Sequence, residues 1–232
     1  MSYSHVIACG CSYMDCYTAE YGHVELAEYL GATPVRLVRP GSSNEWVANN
    51  LMDALQGVDK ALVLWGLTFH TRFDLPYHDA NLQPIWASVN NGNMTGHEGI
   101  TFKPDHLMSE CSKYTEYFRL RYMKSLVFRK VLRDLIYVSG YLKSRGHDYL
   151  IWNQADPCYR ENCQSDWTEY QIIQHDPGFY KLFEFTMNEY LIENGVETEE
   201  PLADMSPVIM HPNPGAKLNS VINSFVKQRL GI

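Results

Sequence analysis

Short apolar runs alternate with stretches of helical periodicity along most of the chain. Apolar and β-branched residues predict four strands, at residues 5–9, 34–38, 60–65 and 149–152. Apolar residues at helical spacing predict five helices, at residues 20–30, 46–55, 112–144, 179–194 and 216–230. Gly31 stands directly after the first of these helices, at the position where a left-handed residue commonly ends a helix.

The order of these elements predicts the fold class. A strand followed by a helix and a second strand forms a right-handed crossover, and repetition of this unit builds a mainly parallel sheet. Residues 60–65 are almost continuously apolar, as expected of a strand that helices cover on both faces. We therefore expect an α/β fold in three layers, in which a mainly parallel sheet of four or five strands lies between two layers of helices.

Residues 66–112 do not follow this pattern. They contain glycine, asparagine, histidine and proline with scattered aromatic residues, and they show no sustained periodicity. A segment of this length without regular structure is uncommon inside a compact domain and is often a functional lid or an insertion. We expect a single domain over residues 1–232, with an insertion or lid at about 66–112.

Composition narrows the classes of function. The 232 residues are 45% hydrophobic and carry a formal net charge of −8, whereas nucleic-acid binders show a basic face. No apolar run is long enough to cross a bilayer and no signal-peptide pattern is found, so we expect a cytoplasmic protein that binds neither nucleic acid nor membrane. The six cysteines are then expected as reduced thiols. Because their spacing matches no familiar zinc motif, no metal and no other cofactor is predicted.

Two residues far apart in the sequence could carry nucleophilic chemistry. Ser12 follows the first predicted strand, and functional groups of α/β sheets collect in the loops at the carboxyl ends of strands. Cys11 is a rival nucleophile, but neighbouring residues on extended backbone point to opposite faces, so the two are not expected to share the role. His211 lies before the last predicted helix, in a loop restricted by two prolines and a glycine. A serine nucleophile needs such a base within hydrogen-bond reach, whatever the sequence distance.

The motifs around these residues resemble those of the SGNH (GDSL-like) hydrolases, which are single-domain α/β esterases and carbohydrate deacetylases with a flavodoxin-like sheet. Gly-Cys-Ser at 10–12 is similar to the first block of the family, with cysteine where aspartate is commonest. Gly41 resembles the glycine of the second block, Gly-Leu-Thr at 66–68 falls at the third, and His211 resembles the histidine of the last. The resemblance implies that Ser12 is the nucleophile, that His211 is the general base, and that the N–H groups of Ser12 and Gly41 belong to an oxyanion hole.

Two positions depart from the family pattern. Thr68 stands where the family has an asparagine that donates to the oxyanion, and Asn44 is an alternative donor. Val208 stands three residues before His211, where the family has its catalytic acid. The nearest carboxylate upstream belongs to Asp204. Either Asp204 completes a triad, or a backbone carbonyl orients the histidine in a Ser–His dyad.

The resemblance implies a serine hydrolase that acts on an ester or on an N- or O-acetyl group without a cofactor. Its substrate would be a small-molecule or glycan ester, while the oligomeric state stays open. Several aromatic residues fall in or beside the loops of the expected cleft, where they either stack on a sugar or form a small core of the insertion. They are Tyr77, Trp86, Trp152, Tyr159 and Trp167. The two departures favour an alternative function, a catalytically weakened module that binds a glycan, nucleotide or protein partner.

Overall fold

The structure is a computed structural model. It describes the backbone of residues 2–69, 73–78, 84–90, 93–95, 101–102, 124–156, 158–161, 163–199 and 210–232. Side chains are described for residues 2–69, 128–156, 159–161, 163–199 and 210–232. Among these residues, no helix combines the length and the apolarity that a membrane crossing requires.

The described strands form two sheets. They are β1 (His5–Gly10), β2 (Thr33–Val38), β3 (Ala61–Leu67), β4 (Phe73–His78), β5 (Pro84–Asn90), β6 (Asn93–Thr95), β7 (Thr101–Phe102), β8 (Asp148–Asn153) and β9 (Phe179–Tyr180). The main sheet has the order β2-β1-β3-β8-β9, and all of its strands are parallel. Strands β4 to β7 form a separate antiparallel sheet.

Helices flank the main sheet on both faces. They are α1 (Ser12–Ala19), α2 (Gly22–Leu30), α3 (Asn44–Ala54), α4 (Lys124–Ser144), α5 (Cys158–Glu161), α6 (Thr168–Gln174), α7 (Met187–Glu193) and α8 (Ala216–Leu230). Helices α1, α2, α7 and α8 pack on the side chains of one face of β1, such as Val6, in one apolar core. Helices α3, α4 and α6 pack on the other face, with Ile7, in a second core. The predicted three-layer, flavodoxin-like α/β class is confirmed.

The connections between β1, β2 and β3 explain where a functional site can form. The chain passes from β1 to β2 through α1 and α2 on one face, and from β2 to β3 through α3 on the other. The strands next to β1 are therefore reached across opposite faces. Such a switch point leaves a crevice outside the carboxyl ends of β1 and β3, where α/β proteins place their ligands.

The four predicted strands and the helix at 216–230 are confirmed, with shifts of one or two residues at the strand ends. The predicted helix at 179–194 is wrong, because Phe179–Tyr180 pairs with β8 and α7 begins only at Met187. Lys181 has a φ of 43°, which a right-handed helix does not permit. Helix α1 and strands β4 to β7 were not predicted. The predicted start of the long helix at residue 112 lies outside the described residues.

A buried histidine joins β3 to the end of α4. The N–H of Ala61 donates to His147 Nδ1 at 3.1 Å, so this nitrogen must be unprotonated. His147 is almost fully buried. Burial, together with the nearby Arg145, lowers the pKa of His147 from its usual value. The folded state therefore favours the neutral imidazole.

This arrangement predicts that acid destabilises the fold through His147. The pKa of His147 is lower in the folded state than in the unfolded chain, where it is about 6.5. The contribution of His147 to the free energy of unfolding is therefore complete above about pH 6.5 and is lost as the pH falls from there through the folded-state pKa. His147→Asn keeps an acceptor near the position of Nδ1 and cannot protonate. The free energy of unfolding, measured in urea from pH 8 to pH 5, should fall less steeply in His147→Asn than in the wild type.

The exposed His175 supplies the control. His175→Asn should keep the slope of the wild type, because this side chain is largely in solvent in the folded state. Equal slopes for all three proteins would contradict the assignment of acid sensitivity to His147.

Candidate active site

Ser12 stands at the junction of β1 and α1. Strand β1 ends at Gly10, Cys11 is the N-cap in extended conformation, and Ser12 is the first residue of the helix. The first N–H groups of a helix have no acceptor within it. Among the described residues, no hydrogen-bond acceptor is found for the N–H of Ser12. Ser12 therefore brings a hydroxyl and an available N–H to the carboxyl edge of the sheet.

The backbone at Gly10 is too crowded for a side chain. A Cβ atom there would lie 2.6 Å from Met14 Cγ and 2.7 Å from the carbonyl oxygen of Gly66, and Gly10 has a φ of 150°. The carbonyl oxygen of Gly10 accepts hydrogen bonds from the N–H of Arg39 at 3.3 Å and from the hydroxyl of Ser42 at 3.2 Å. The loop that follows β2 is thus bound directly to the end of β1.

This loop presents the N–H of Gly41. The N–H of Ser42 donates to the carbonyl of Arg39 at 3.1 Å, and Gly41 has a φ of 76°. Pro40 followed by a glycine with positive φ is the pattern of a type II turn, whose hydrogen bond uses the N–H of Ser42. No acceptor for the N–H of Gly41 is found in the described part of the chain. The N–H of Gly41 is therefore available in a loop that is bound to the end of β1.

His211 connects Ser12 to a carboxylate. Its Nε2 lies 2.8 Å from Ser12 Oγ, and its Nδ1 lies 3.2 Å from Oε2 of Glu199. The imidazole packs on the ring of Tyr13, with 4.4 Å between the ring centroids. His211 is about one-third exposed and Glu199 about half exposed. The three side chains make a continuous hydroxyl–imidazole–carboxylate series that solvent can reach.

A short antiparallel pairing brings Glu199 to the histidine. The N–H of Glu199 donates to the carbonyl of His211 at 2.9 Å, and the N–H of Asn213 donates to the carbonyl of Glu197 at 2.8 Å. A β-bridge joins Thr198 to Pro212 between these two bonds. The backbone of Glu199 is therefore fixed beside that of His211. This pairing places the carboxylate of Glu199 within hydrogen-bond reach of His211 Nδ1.

The side chain of Asn44, expected as a further oxyanion donor, is bonded to the backbone of Thr68, the other expected donor. The N–H of Thr68 donates to Asn44 Oδ1 at 3.0 Å, and Asn44 Nδ2 donates to the carbonyl of Thr68 at 3.1 Å. Asn44 Nδ2 also lies 3.3 Å from the hydroxyl of Tyr159. Both residues are buried. The pair fastens the end of β3 to the start of α3 and uses the amide hydrogens that Asn44 would offer to an oxyanion.

The structure brings Ser12 and His211 into contact, as expected. The acid proposed from the sequence, Asp204, lies outside the described residues. The carboxylate found at His211 belongs to Glu199, which sequence reasoning missed. Glu199 is one of four glutamates between residues 193 and 200. No spacing within that run distinguishes it, and only the pairing of two distant segments selects it.

The described cysteines near Ser12 in the sequence are buried or have raised pKa values. Cys11 is fully buried, which removes it as an accessible rival to Ser12. Burial raises the pKa of Cys9, and burial with the charge of Asp15 raises that of Cys16 to about 11, so neither is a ready thiolate. The described residues contain no group of three histidine, cysteine or acidic side chains arranged to hold a metal ion.

Three of the five aromatic residues assigned to the cleft belong to the protein core. Trp152 and Tyr159 are fully buried, and Trp167 is nearly so. Trp152 lies inside the strand predicted at 149–152 and packs in one apolar core, and the polar region after β8 packs Tyr159 and Trp167 into the other. The side chains of Tyr77 and Trp86 lie outside the described residues. The expected stacking of sugars therefore has no basis in the three described aromatic residues.

In a comparison with family models and with curated proteins, the chain matches none. The geometry of the site therefore carries the functional argument.

The crowding at Gly10 predicts a large loss of stability in Gly10→Ala. Gly57→Ala is a matched control, because Gly57 also has a positive φ, of 74°, but has no atom within 4 Å of an added Cβ. The control should lose only the cost of the left-handed backbone, about 1 kcal/mol. Gly10→Ala should lose about 2–4 kcal/mol, because a buried clash is added. Urea denaturation measures both values, and equal losses would contradict the described packing around Gly10.

Proposed function

We propose that this chain is a serine hydrolase that cleaves an ester or an acetyl group through Ser12. The observation that carries the proposal is the series Ser12 Oγ–His211 Nε2 at 2.8 Å and His211 Nδ1–Glu199 Oε2 at 3.2 Å. A hydroxyl, an imidazole and a carboxylate joined in this order form the arrangement that activates serine nucleophiles on unrelated folds. Its position at the switch point of the sheet supports a catalytic role.

Each of the three side chains has one task in the proposed reaction. Ser12 Oγ attacks the acyl carbonyl while His211 Nε2 accepts its proton, and a tetrahedral intermediate forms. His211 then gives that proton to the leaving oxygen or nitrogen as the bond to the acyl carbon breaks. Water repeats the cycle, attacks the acyl-serine and releases the acid. Glu199 holds Nδ1–H and stabilises the imidazolium without taking the proton.

Backbone groups supply the proposed oxyanion hole. The N–H groups of Ser12 and Gly41 have no acceptor in the described structure, and the loop of Gly41 is bound to Gly10, two residues before Ser12. Preorganised donors of this kind stabilise the negative charge that develops on the carbonyl oxygen. The substrate class proposed is therefore an acyl ester or acetyl group on a small molecule or a glycan, without a cofactor.

A second candidate function follows from the bonding of Asn44 with Thr68. Because Asn44 Nδ2 and the N–H of Thr68 already have partners, neither group is available as a third oxyanion donor. Loss of one such donor lowers turnover by about 10²–10³-fold. This feature favours a catalytically weakened module that binds a glycan, nucleotide or protein partner in the same crevice. The two candidates differ in whether Ser12 is an activated nucleophile.

The first test uses a fluorophosphonate probe, which reacts with activated serines and requires no knowledge of the substrate. The wild-type protein should acquire one adduct, mapped to Ser12 by peptide mass spectrometry. Ser12→Ala should acquire none. His211→Ala should react at least about 10³-fold more slowly, because the serine loses its base.

His175→Ala is the control for this experiment, because it removes an exposed histidine next to Asp176, whose carboxylate accepts from Tyr149 near the start of β8 and not at the carboxyl edge that carries Ser12. It should react at the rate of the wild type. A folded wild-type protein without an adduct on Ser12, or undiminished labelling in His211→Ala, would overturn the hydrolase in favour of the binding module.

A second test separates the two candidate acids. Glu199→Gln keeps the size of the side chain but removes the charge that stabilises the imidazolium, so the labelling rate should fall by about 10²-fold or more. Asp204→Asn is the matched change at the acid expected from the sequence, and it should leave the rate within about twofold. The opposite result, a loss in Asp204→Asn alone, would assign the acid to Asp204.

A further inference from the structure

The loop of His211 is held from inside the protein by a series of buried amides. The indole N–H of Trp152 donates to Gln154 Oε1 at 2.8 Å, and Gln154 Nε2 donates to Asn188 Oδ1 at 3.0 Å. Asn188 Nδ2 then donates to the carbonyl of Met210 at 2.7 Å. Met210 immediately precedes His211. The series thus runs from the end of β8 to the backbone of the histidine.

Because these side chains are buried, breaking one of the bonds leaves a polar group without a partner. Trp152 and Asn188 are 0% exposed and Gln154 is 2% exposed, so water cannot replace a missing partner. A second bond, from the N–H of Asn188 to the carbonyl of Gln154 at 3.1 Å, joins the same two residues through their backbones. Gln154 and Asn188 therefore have little freedom to move relative to each other.

The ends of this amide series are themselves fixed. Gln154 Oε1 packs against Gly66 of β3. A Cβ atom on Gly66 would lie only 2.8 Å from this oxygen, so a larger residue would displace it. Asn188 lies in the first turn of α7, whose start is set by a capping box between Thr186 and Glu189. The series therefore connects two rigid elements, β8 and α7, to the loop that carries His211.

We propose that Asn188 and Gln154 are positioning residues that set the place of His211 relative to Ser12. This inference rests on the proposed function, since a defined distance between the two matters only if His211 acts on Ser12. Both residues act through the carbonyl of Met210, and the described hydrogen bonds join neither of them to Ser12 or to the imidazole. Misplacement of a catalytic group by about 1 Å can cost on the order of 10²-fold in rate. Asn188 acts directly on Met210, whereas Gln154 acts one bond further away.

The test compares the labelling rates of variants whose substituted residues lie one or two bonds from the carbonyl of Met210. Asn188→Ala removes the bond to Met210, and its maximal rate of fluorophosphonate labelling should fall by about 10–100-fold, with little change in the concentration of probe at half-maximal rate. Gln154→Ala leaves the bond between Asn188 and Met210, so its rate should fall less. Tyr149→Phe is the control: it removes a buried bond to Asp176 near the opposite end of β8 and should label as the wild type does.

Urea denaturation of the same variants distinguishes positioning from general stability. Each side chain makes two hydrogen bonds within the series and Gln154 is the larger, so Gln154→Ala is expected to be at least as destabilised as Asn188→Ala. A larger fall of the labelling rate in Asn188→Ala than in Gln154→Ala, although Gln154→Ala loses at least as much stability, supports the proposal. Rates that follow stability, or an Asn188→Ala rate within twofold of the wild type, overturn it. If Asn188→Ala does not fold, Asn188→Asp takes its place, measured at pH 8.

A measurement that needs no catalysis keeps this inference separate from the proposed function. The proton on His211 Nδ1, which faces Glu199, should give a downfield proton NMR resonance assignable by its loss in His211→Ala. The resonance should shift or broaden in Asn188→Ala and stay unchanged in Tyr149→Phe. An unchanged resonance in Asn188→Ala contradicts the positioning role. A wild-type protein that shows the resonance but no labelling contradicts the hydrolase and not the positioning of the histidine.

Discussion

The in-register pairing of β1 with its two neighbours is the constraint on which the rest of the structure depends. Gly10 pairs with Val38 on one side and with Gly66 on the other, so three strands end at one level. The loops that carry Ser12, Gly41 and Thr68 therefore start from the same edge. A slip of one residue would turn every side chain of a strand to the other face. The two apolar cores prevent such a slip, because each needs alternate residues of the same strands.

His211 reaches this edge from the opposite end of the chain, and different forces hold it there. The backbone pairing with residues 197–199 fixes one side of its loop. The buried amides of Gln154 and Asn188 fix the other through Met210. Parallel strands thus place Ser12, the proposed nucleophile, and polar contacts place His211, the proposed base. The proposed chemistry requires that the strand that positions Ser12 and the contacts that position His211 keep the two side chains within about 0.5 Å of the productive geometry.

The apolar pattern predicted the central strands of the main sheet and the helix at 216–230, whereas α1, β4 to β7 and the contacts between distant segments were missed. The strands at the centre of the sheet are continuous apolar runs, and Ser12 and His211 lie in short motifs beside predicted elements. Strand β9 has only two residues, too few for any periodicity. Glu199 is selected by an antiparallel pairing with residues 211–213, and the bond between Asn44 and Thr68 joins loops 24 residues apart. These contacts arise only once the sheet has brought distant segments together.

A crystal structure of the fluorophosphonate-treated protein would show Ser12 and the proposed oxyanion hole together. If Ser12 is the nucleophile, phosphorus should be bonded to its Oγ, a phosphoryl oxygen should face the N–H groups of Ser12 and Gly41, and His211 Nε2 should lie within hydrogen-bond distance of Oγ. An unmodified Ser12, or an adduct whose phosphoryl oxygen faces away from both N–H groups, would contradict the proposal.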